Sequence, residues 1–377
     1  MIRIAYVIDS IATPSAGTEK QLLMLLHGLD RAEFEPTLIC LRRSEWLSRQ
    51  SFPFEVHILN VGAILRPSLL GAIARFRALH ADKRFDIVQT LFVDANIVGT
   101  VAAHYAGVKT IISSRRNVGY WHTRVHTTLL RALRSWTTHY LANSRAAVEV
   151  ARRSEGVSPD SITVIYNGLV LSSFQGIDTS LRSRERTAWG IAEDEILIGA
   201  VANLRPVKNI SSLINAAAAL ESSYPRTRFV VVGEGPDRGG LQALINAAGL
   251  MDRFLLVGTR SNIVPCLAAF DIAVQCSLSE SCSGSLIEYM AAGLPIAASN
   301  VGGNPEAITS GETGLLYDSD EGTSLAACLR QLLDDPANAR KMGRAARQAA
   351  IEHYSREACL EKHERFYQRI VHRMERE

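Results

Sequence analysis

The stretch Ser277–Ser299 reads SLSESCSGSLIEYMAAGLPIAAS and combines a polar loop, a helix start, a helix end and the beginning of a strand. Residues 283–285, Ser-Gly-Ser, supply cap-competent side chains and slim backbone just before an apolar pattern with helical spacing. Gly293 and Pro295 predict the end of that helix, and the apolar residues after them predict a buried strand. Such a loop–helix–strand unit is typical of α/β folds.

The same stretch has the chemistry of a binding site. A helix start attracts anions through its unpaired N–H groups and its dipole, and glycine or serine lets a phosphate come close. We therefore predict that Ser283, Gly284 and Ser285 contact a phosphate. Glu280 in the loop and Glu288 in the helix are suited to accept hydrogen bonds from neutral hydroxyls. Either glutamate alone is more simply a solvated surface residue, but the whole assembly favours a ligand site.

Glu280, seven intervening residues and Glu288, followed by Tyr-Met-Ala-Ala-Gly-Leu-Pro, resemble the E-x7-E signature of glycosyltransferase family 4, and the resemblance extends over nearly the whole chain. The resemblance implies an α/β fold of two Rossmann-like domains facing a central cleft, the GT-B fold. It also implies sugar transfer from a nucleotide diphosphate with retained anomeric configuration, with Glu280 near the sugar hydroxyls and Glu288 on the ribose. In the family, front-face attack assisted by the leaving phosphate is favoured over a covalent intermediate, so we name no nucleophile.

Composition is that of an ordinary globular protein. The chain has 377 residues, of which 47% are hydrophobic and 21% charged, so length alone predicts two or three domains of roughly 150 residues. The net charge of +3 is too small to indicate nucleic acid as a partner. It would suit an anionic donor, or an acceptor at an anionic membrane surface.

The sequence predicts a cytoplasmic protein, with room for peripheral contact at the inner face of the cytoplasmic membrane. MIRIAYVID reaches Asp9 before a signal-peptide core can form, and no run approaches roughly 18 apolar residues. Residues 123–136 place leucines among arginines, which indicates a helix docked on its own domain or on a membrane face. Own-domain packing is the commoner case.

No metal site or cofactor is predicted. The six cysteines form no C-x-x-C pair, which favours buried reduced thiols over zinc ligands or disulfides. His122 and His126 lie four residues apart on an expected helix, but without the glutamate of an H-E-x-x-H motif, so a surface pair is favoured. The resemblance instead implies a nucleotide sugar of UDP or GDP type as co-substrate, bound without metal.

Strand and helix patterns alternate along the first half, which predicts a doubly wound parallel sheet. Strands are expected at residues 2–8, 35–41, 55–59, 87–90, 110–114 and 140–142, with helices such as 68–80 and 95–105 between them. We predict a first domain at 1–170, closed by the family-like segment Val164-Ile-Tyr-Asn-Gly168. A polar linker at 171–190, a second domain at 191–358 and a C-terminal helix at about 359–377 that rejoins the first domain complete the prediction.

Two loops of the first domain carry candidate site residues. Ala16-Gly17-Thr18-Glu19 is similar to the family's G-G-x-E loop near the donor phosphates and the acceptor, and Gly17 is the glycine that remains. The segment 113–122, SSRRNVGYWH, follows a strand where many family members have a histidine, but no histidine is in register. We predict that Arg115 or Arg116 meets the donor diphosphate or an anionic acceptor, because ligands bind at the carboxyl ends of parallel strands.

In the second domain a strand at 196–203 and a helix at 210–220 flank a basic turn. Lys208 matches a family lysine that holds the donor diphosphate and stabilises the departing charge. The matching family arginine is replaced by Asn203, so either Arg205 substitutes for it or the site works with fewer charges. Residues 233–238, Gly-Glu-Gly-Pro-Asp-Arg, fail the dinucleotide fingerprint because Arg238 stands where a third glycine is needed, which makes a nicotinamide dehydrogenase a poor alternative.

The resemblance and these residues predict a retaining, metal-independent glycosyltransferase with a saccharide or lipid-linked saccharide acceptor. Bacterial envelope or exopolysaccharide assembly is the expected setting. Two alternatives stay open at this point. A GT-B epimerase or a phosphorylase-type enzyme would share the fold, and the phosphorylase would need a lysine-bound pyridoxal cofactor. A sugar-nucleotide-binding protein that has lost its chemistry is the other, because the family histidine and arginine are missing.

Overall fold

The computed structural model describes residues 1–14, 16–62, 68–119, 122–318 and 324–374. The chain forms two compact units. Unit 1 comprises Met1–Gly168 together with Arg356–Glu377, and unit 2 comprises Leu169–Ser355.

Unit 1 is built on a seven-stranded parallel sheet in the order β3-β2-β1-β4-β5-β6-β7. Its strands are β1 Ile2–Ile8, β2 Phe34–Cys40, β3 Glu55–Ile58, β4 Ile87–Leu91, β5 Thr110–Arg115, β6 His139–Ala142 and β7 Ile162–Val164. Its first helices are α1 Gly17–Gly28, α2 Glu45–Ser48, α3 Ser68–Lys83, α4 Val93–Ala106, α5 Arg124–Ala132 and α6 Arg145–Glu155.

Both faces of the unit 1 sheet are covered, as the nearly continuous apolar strands predict. Along β1, Ile4, Tyr6 and Ile8 belong to one core cluster, and Ala5 and Val7 belong to the other. Alternate side chains of a strand therefore supply two separate cores, one under α1 and one under α3 and α4.

Unit 2 has a six-stranded parallel sheet in the order β10-β9-β8-β11-β12-β13. Its strands are β8 Ile196–Val201, β9 Thr227–Val232, β10 Phe254–Leu256, β11 Ile272–Gln275, β12 Ile296–Ser299 and β13 Leu315–Tyr317. Its helices are α7 Thr179–Ala188, α8 Ile210–Leu220, α9 Arg238–Ala247, α10 Val264–Ala269, α11 Gly284–Ala292, α12 Asn304–Ala307, α13 Ser324–Asp334 and α14 Pro336–Tyr354.

The last helix, α15 Arg356–Met374, returns to unit 1. Its Phe366, Tyr367 and Ile370 are buried in the core cluster under α1. The Tyr367 hydroxyl donates to Gln89 Oε1 at 2.7 Å and accepts from the Tyr6 hydroxyl at 3.1 Å. The predicted C-terminal helix therefore rejoins the first domain, starting at Arg356 rather than near residue 359. Its last predicted residues, 375–377, lie outside the described residues.

The structure corrects the predicted linker. Residues 179–188 form α7, and the whole of 171–190 belongs to unit 2. The polar sequence was misleading because Arg186 is fully buried, donating to Ala269 O at 3.0 Å and Asp271 Oδ2 at 3.1 Å. A buried guanidinium with such partners packs a helix while looking solvated in the sequence.

Several other boundaries differ from the prediction by one to three residues, and one segment is confirmed. Strand β5 continues to Arg115, and β8 ends at Val201 rather than at Asn203. Within residues 123–136, Leu130 and Leu133 are buried against Ile97 of α4, which confirms own-domain packing. Within the described part of the chain, no helix is long and apolar enough to cross a membrane.

Candidate functional site

The candidate site in unit 2 lies where the strand order reverses, at the carboxyl ends of β8 and β11. Ligands of open parallel sheets bind at such switch points. The loop after β8 contains a short 3-10 helix at Pro206–Lys208, and the loop after β11 contains Glu280. The two loops are joined by a backbone hydrogen bond from Leu278 N to Val207 O at 2.8 Å.

Lys208 and Glu280, predicted from separate motifs, form an ion pair. Lys208 Nζ donates to Glu280 Oε1 at 2.5 Å, and the side chains are only 21% and 11% exposed. The same oxygen accepts from Ser277 Oγ at 2.7 Å and Gln275 Nε2 at 2.8 Å. These three donors set the orientation of the carboxylate before any ligand arrives.

The loop around Glu280 is also fixed through its backbone. Gly302, in the loop after β12, has φ +53°, and a Cβ there would lie 1.8 Å from the carbonyl oxygen of Glu280. Gly303 N donates to that same oxygen at 3.2 Å. Only a glycine at 302 permits this approach, because it has neither the clash nor the positive-φ penalty.

The predicted helix start is confirmed. Ser283 caps α11 by accepting from Leu286 N at 3.3 Å, and Gly293 ends the helix in the left-handed conformation with φ +72°. Gly284 is exposed and Ser285 half-buried, so the first-turn N–H groups lie beside accessible, slim residues. Such a start is suited to bind an anion.

Glu288 is not a solvated surface residue. It lies in α11 and is 8% exposed. It lies about one turn from the predicted phosphate contacts at Ser283, Gly284 and Ser285, in the same helix. The predicted contact with a ribose stays a prediction.

Arg205 shares the turn of Lys208 and is exposed, as is Asn203. Arg205 is the N-cap residue of the 3-10 helix. Its role in binding the diphosphate stays a prediction.

In unit 1, Gly17 begins α1, and a Cβ on it would meet no atom within 4 Å. Ala16, the N-cap residue, makes no side-chain capping bond. Packing therefore does not explain a glycine at this position, and the predicted phosphate or acceptor contact stays open to test.

Arg115 is held inside unit 1. Its side chain lies 6% exposed in β5 and donates to Glu155 through Nη2 to Oε2 at 2.6 Å and Nε to Oε1 at 3.0 Å. The guanidinium also lies over the Tyr140 ring, 5.1 Å from its centroid. This geometry corrects the prediction that Arg115 reaches a donor diphosphate or an anionic acceptor, because its donors are engaged in a buried ion pair.

Arg116, the next residue, is half-buried and donates through Nη2 to Asn167 Oδ1 at 2.5 Å. It lines a small cavity with Tyr166 and His363. Burial lowers the pKa of His363 to about 4, so that imidazole is neutral at pH 7. Contact of Arg116 with a donor diphosphate or an anionic acceptor stays a prediction. The aromatic residues Tyr120 and Trp121 of the same predicted loop lie outside the described residues.

The cysteines and the pair His122 and His126 are the side chains whose chemistry bears on a metal site. All six cysteines are free, and burial raises the pKa of Cys40, Cys266 and Cys276 to about 12. The rings of His122 and His126 are 6.2 Å apart. Among the described residues, no three or more His, Cys, Asp or Glu side chains come together as a metal site.

Sequence reasoning missed Gln275, Ser277 and Gly302. The signal for Gln275 was present, because a glutamine ends the otherwise apolar strand Ile-Ala-Val-Gln. A polar residue at the carboxyl end of a buried parallel strand is placed for a site. Nothing in the sequence alone showed that Gly302 presses against the Glu280 backbone.

Two family models match the chain, one in each unit. Glycosyl transferases group 1 matches residues 182–349, and the glycosyl transferase 4-like domain matches residues 16–168.

Relatives and solved structures agree with these matches. Escherichia coli UDP-Gal:alpha-D-GlcNAc-diphosphoundecaprenol alpha-1,3-galactosyltransferase is 26% identical over 89% of this chain and 88% of its own length. Bacillus anthracis N-acetyl-alpha-D-glucosaminyl L-malate synthase is 31% identical over 58% of this chain and 56% of its own length. In matches such as the latter, the chain spans about half the length of the curated relative.

The crystal structure of Anabaena HepE in complex with UDP matches with a TM-score of 0.85 and 21% identity, covering 97% of this chain and 100% of that chain. This likeness confirms the predicted fold of two Rossmann-like α/β domains, the fold of GT-B proteins. With a glycosyltransferase model on each unit and this fold over nearly the whole chain, the protein belongs to the group 1 glycosyltransferases of the family 4 type.

Proposed function

We propose that the protein is a retaining glycosyltransferase that moves a sugar from a nucleotide-diphosphate donor to an acceptor without a metal ion. The observation that carries the proposal is the cluster of Lys208, Glu280 and the α11 start at the switch point of unit 2. Family membership favours this function over the epimerase and phosphorylase alternatives.

Each part of the cluster has a chemical task in the proposal. The N–H groups of the α11 start, with Ser283 and Ser285, bind the diphosphate. Glu280 accepts hydrogen bonds from the donor sugar, and Glu288 from the ribose. Lys208 stabilises the negative charge that builds on the leaving phosphate as the sugar bond breaks.

The relatives support a UDP-type donor ahead of a GDP-type one. HepE has been solved with UDP and with UDP-glucose, and the E. coli relative is named for UDP-Gal. That relative's name also includes a diphosphoundecaprenol-linked acceptor, which supports a saccharide or lipid-linked saccharide acceptor here. Envelope or exopolysaccharide assembly in a bacterial cytoplasm, with peripheral membrane contact, completes the proposal.

The test begins with a panel of UDP-, GDP- and ADP-sugars screened for a rise in melting temperature, because a ligand that binds the native state stabilises it by mass action. Calorimetry on the best donor compares the parent with Glu288→Ala and with Glu312→Ala, a control at an exposed glutamate of unit 2. NMR of the product then reads its anomeric configuration. A product with inverted configuration would contradict retention, and the absence of turnover with any donor and saccharide acceptor would favour a binding protein.

A further inference from the structure

Gln275 ends β11 with only 2% of its surface exposed. The other residues of this strand, Ile272, Ala273 and Val274, are apolar and buried. Burying an amide is unfavourable by roughly 1–3 kcal/mol unless its polar atoms are hydrogen-bonded. The hydrogen bonds that its side-chain N–H and C=O groups make therefore show why an amide is buried here.

The two N–H groups of Gln275 have two good acceptors. Nε2 donates to Glu280 Oε1 at 2.8 Å and to Ser283 Oγ at 2.9 Å, and it also lies 3.3 Å from Ser277 Oγ. An ionised carboxylate only accepts hydrogen bonds, so the nitrogen of the amide, not its oxygen, must face Glu280. This contact sets the direction of the whole amide.

The orientation of the amide in turn fixes the orientation of the hydroxyl groups of Ser283 and Ser285. Ser283 Oγ accepts from Gln275 Nε2 and from Leu286 N, which uses both of its lone pairs. Its O–H must therefore donate, and Ser285 Oγ lies 3.2 Å away. Ser285 Oγ donates to Gln275 Oε1 at 3.3 Å. The amide and the two hydroxyls thus close a hydrogen-bonded ring at the start of α11.

We infer that Gln275 is a positioning residue of the donor site, which holds the Glu280 carboxylate and turns the Ser283 hydroxyl into a donor directed at the anion-binding helix start. The inference rests on the proposed function. When a diphosphate occupies the helix start, the bond between the two serines opens and the Ser283 hydroxyl turns to a phosphate oxygen. The bonds from Gln275 to Glu280 and Ser283 persist.

A methionine at 275 would keep the volume and remove every one of these bonds. Hydrogen bonds to a charged group contribute roughly 1.5–3 kcal/mol each, so losing the bond to Glu280 predicts a decrease of about ten- to hundredfold in kcat/KM for the donor. The decrease should be shared between KM and kcat, because Ser283 contacts the ground-state diphosphate while Glu280 contacts the reacting sugar.

Gln275→Glu gives a second readout with little change in shape. Two carboxylates in contact cannot both be ionised, so the pair holds a proton to a higher pH than either group alone. The protonated group has one O–H, so it can replace the bond to Glu280 but not, in addition, the donated bond to Ser283. We expect the activity of this variant to rise toward acid pH relative to the parent. Lys208 is the charged group that faces Glu280 from the loop after β8.

The experiment measures UDP affinity by calorimetry, and KM and kcat for UDP-glucose hydrolysis from pH 5 to 9, for the parent, Gln275→Met and Gln275→Glu. Gln89→Met is a matched control, since Gln89 is also 2% exposed and hydrogen-bonded, to Tyr367 and Ser114 in unit 1. It should lower the melting temperature and leave UDP affinity unchanged. If Gln275→Met does not fold, Gln275→Glu at acid pH, where it is neutral, decides the matter.

The possible outcomes distinguish the inference about Gln275 from the proposed function. A parent that binds UDP and turns over UDP-glucose, with Gln275→Met within about threefold of it in KM and kcat, would overturn the inference and leave the proposed function intact. A fall in melting temperature alone, as in Gln89→Met, would also overturn it. A parent that binds no nucleotide sugar would refute both.

Discussion

Replacing Lys208 by methionine tests whether the cluster does chemistry or only binds. The substitution keeps most of the aliphatic stem and removes the charge that lies 2.5 Å from Glu280 Oε1. Under the proposed function the ammonium gains its strongest contact as negative charge builds on the leaving phosphate. We therefore expect a larger effect on turnover than on donor affinity.

The magnitude follows from the position of the charge. Losing a preorganised charge aimed at a developing anion raises a barrier by roughly 2.7–4 kcal/mol, which is about a hundred- to a thousandfold in rate. The effect on stability should be smaller, because Glu280 keeps its hydrogen bonds from Ser277 and Gln275. Exposed ion pairs contribute about 1 kcal/mol or less, and loss of this largely buried pair should cost somewhat more.

The assay is single-turnover transfer, or slow donor hydrolysis, at saturating nucleotide sugar, with urea unfolding to measure stability. Lys341→Met, at an exposed lysine of α14, is the matched control and should behave as the parent does. Turnover by Lys208→Met within about threefold of the parent would refute the reasoning. Arg205 and Arg116 would then remain as the candidate side chains for binding the donor diphosphate.

Three further predictions concern other groups. Glu288→Ala should weaken donor binding by roughly 2–5 kcal/mol with less effect on the chemical step, because hydrogen bonds to a ribose exist in both ground and transition states; an unchanged donor affinity in calorimetry would remove Glu288 from the site. Transfer should survive EDTA, because Lys208 and backbone N–H groups meet the phosphate charge; loss of activity with rescue by manganese or magnesium would contradict this and point to Asp318-Ser319-Asp320, the Asp-x-Asp sequence of the chain. Burial and the neighbouring Asp94 carboxylate raise the pKa of Asp9 from 3.8 to about 7, against the opposing effects of the Ala95 N–H and Arg42, so the folded state holds a proton that the unfolded state releases and stability falls as pH rises from about 4 to 7. Asp9→Asn should therefore unfold at higher urea than the parent at pH 8, by no more than about 4 kcal/mol, and the two should converge near pH 4; a difference independent of pH would show that Asp9 does not titrate in this range.

Patterns among residues close in sequence were sufficient to predict most of the helices and strands. The predicted helix at 210–220 has the same bounds as α8, and the predicted cap and stop of α11 are Ser283 and Gly293. These elements are determined by residues close in sequence, namely apolar spacing, a capping hydroxyl and a left-handed glycine. The linker at 171–190 failed because the partners of Arg186 include Ala269 and Asp271, more than eighty residues away.

Contacts in the site could be predicted where they follow from the order of the strands. They could not be predicted where they depend on the partners of individual side chains. Lys208 and Glu280 follow strands that are neighbours at a switch point, so their proximity follows from topology. Arg115 failed because β5 is one residue longer than predicted. Arg115, the last residue of the strand, is buried in an ion pair, whereas Arg116, just after the strand, is half-buried. The partner, Glu155, lies forty residues further on in α6, and no local pattern marked it.

The ion pair between Lys208 and Glu280 explains why a charge can affect rate more than binding. In the free protein the ammonium is already matched by a carboxylate, so a diphosphate that arrives at α11 meets mainly neutral donors, the N–H groups of the first turn and the hydroxyls of Ser283 and Ser285. Under the proposed function Glu280 then also accepts hydrogen bonds from the sugar hydroxyls. Its interaction with Lys208 weakens as a result, and the Lys208 ammonium interacts more strongly with the phosphate. As the sugar bond breaks, charge grows on the phosphate and not on Glu280. The ammonium therefore shifts its strongest interaction toward the leaving group during the reaction, which is the differential stabilisation that lowers a barrier.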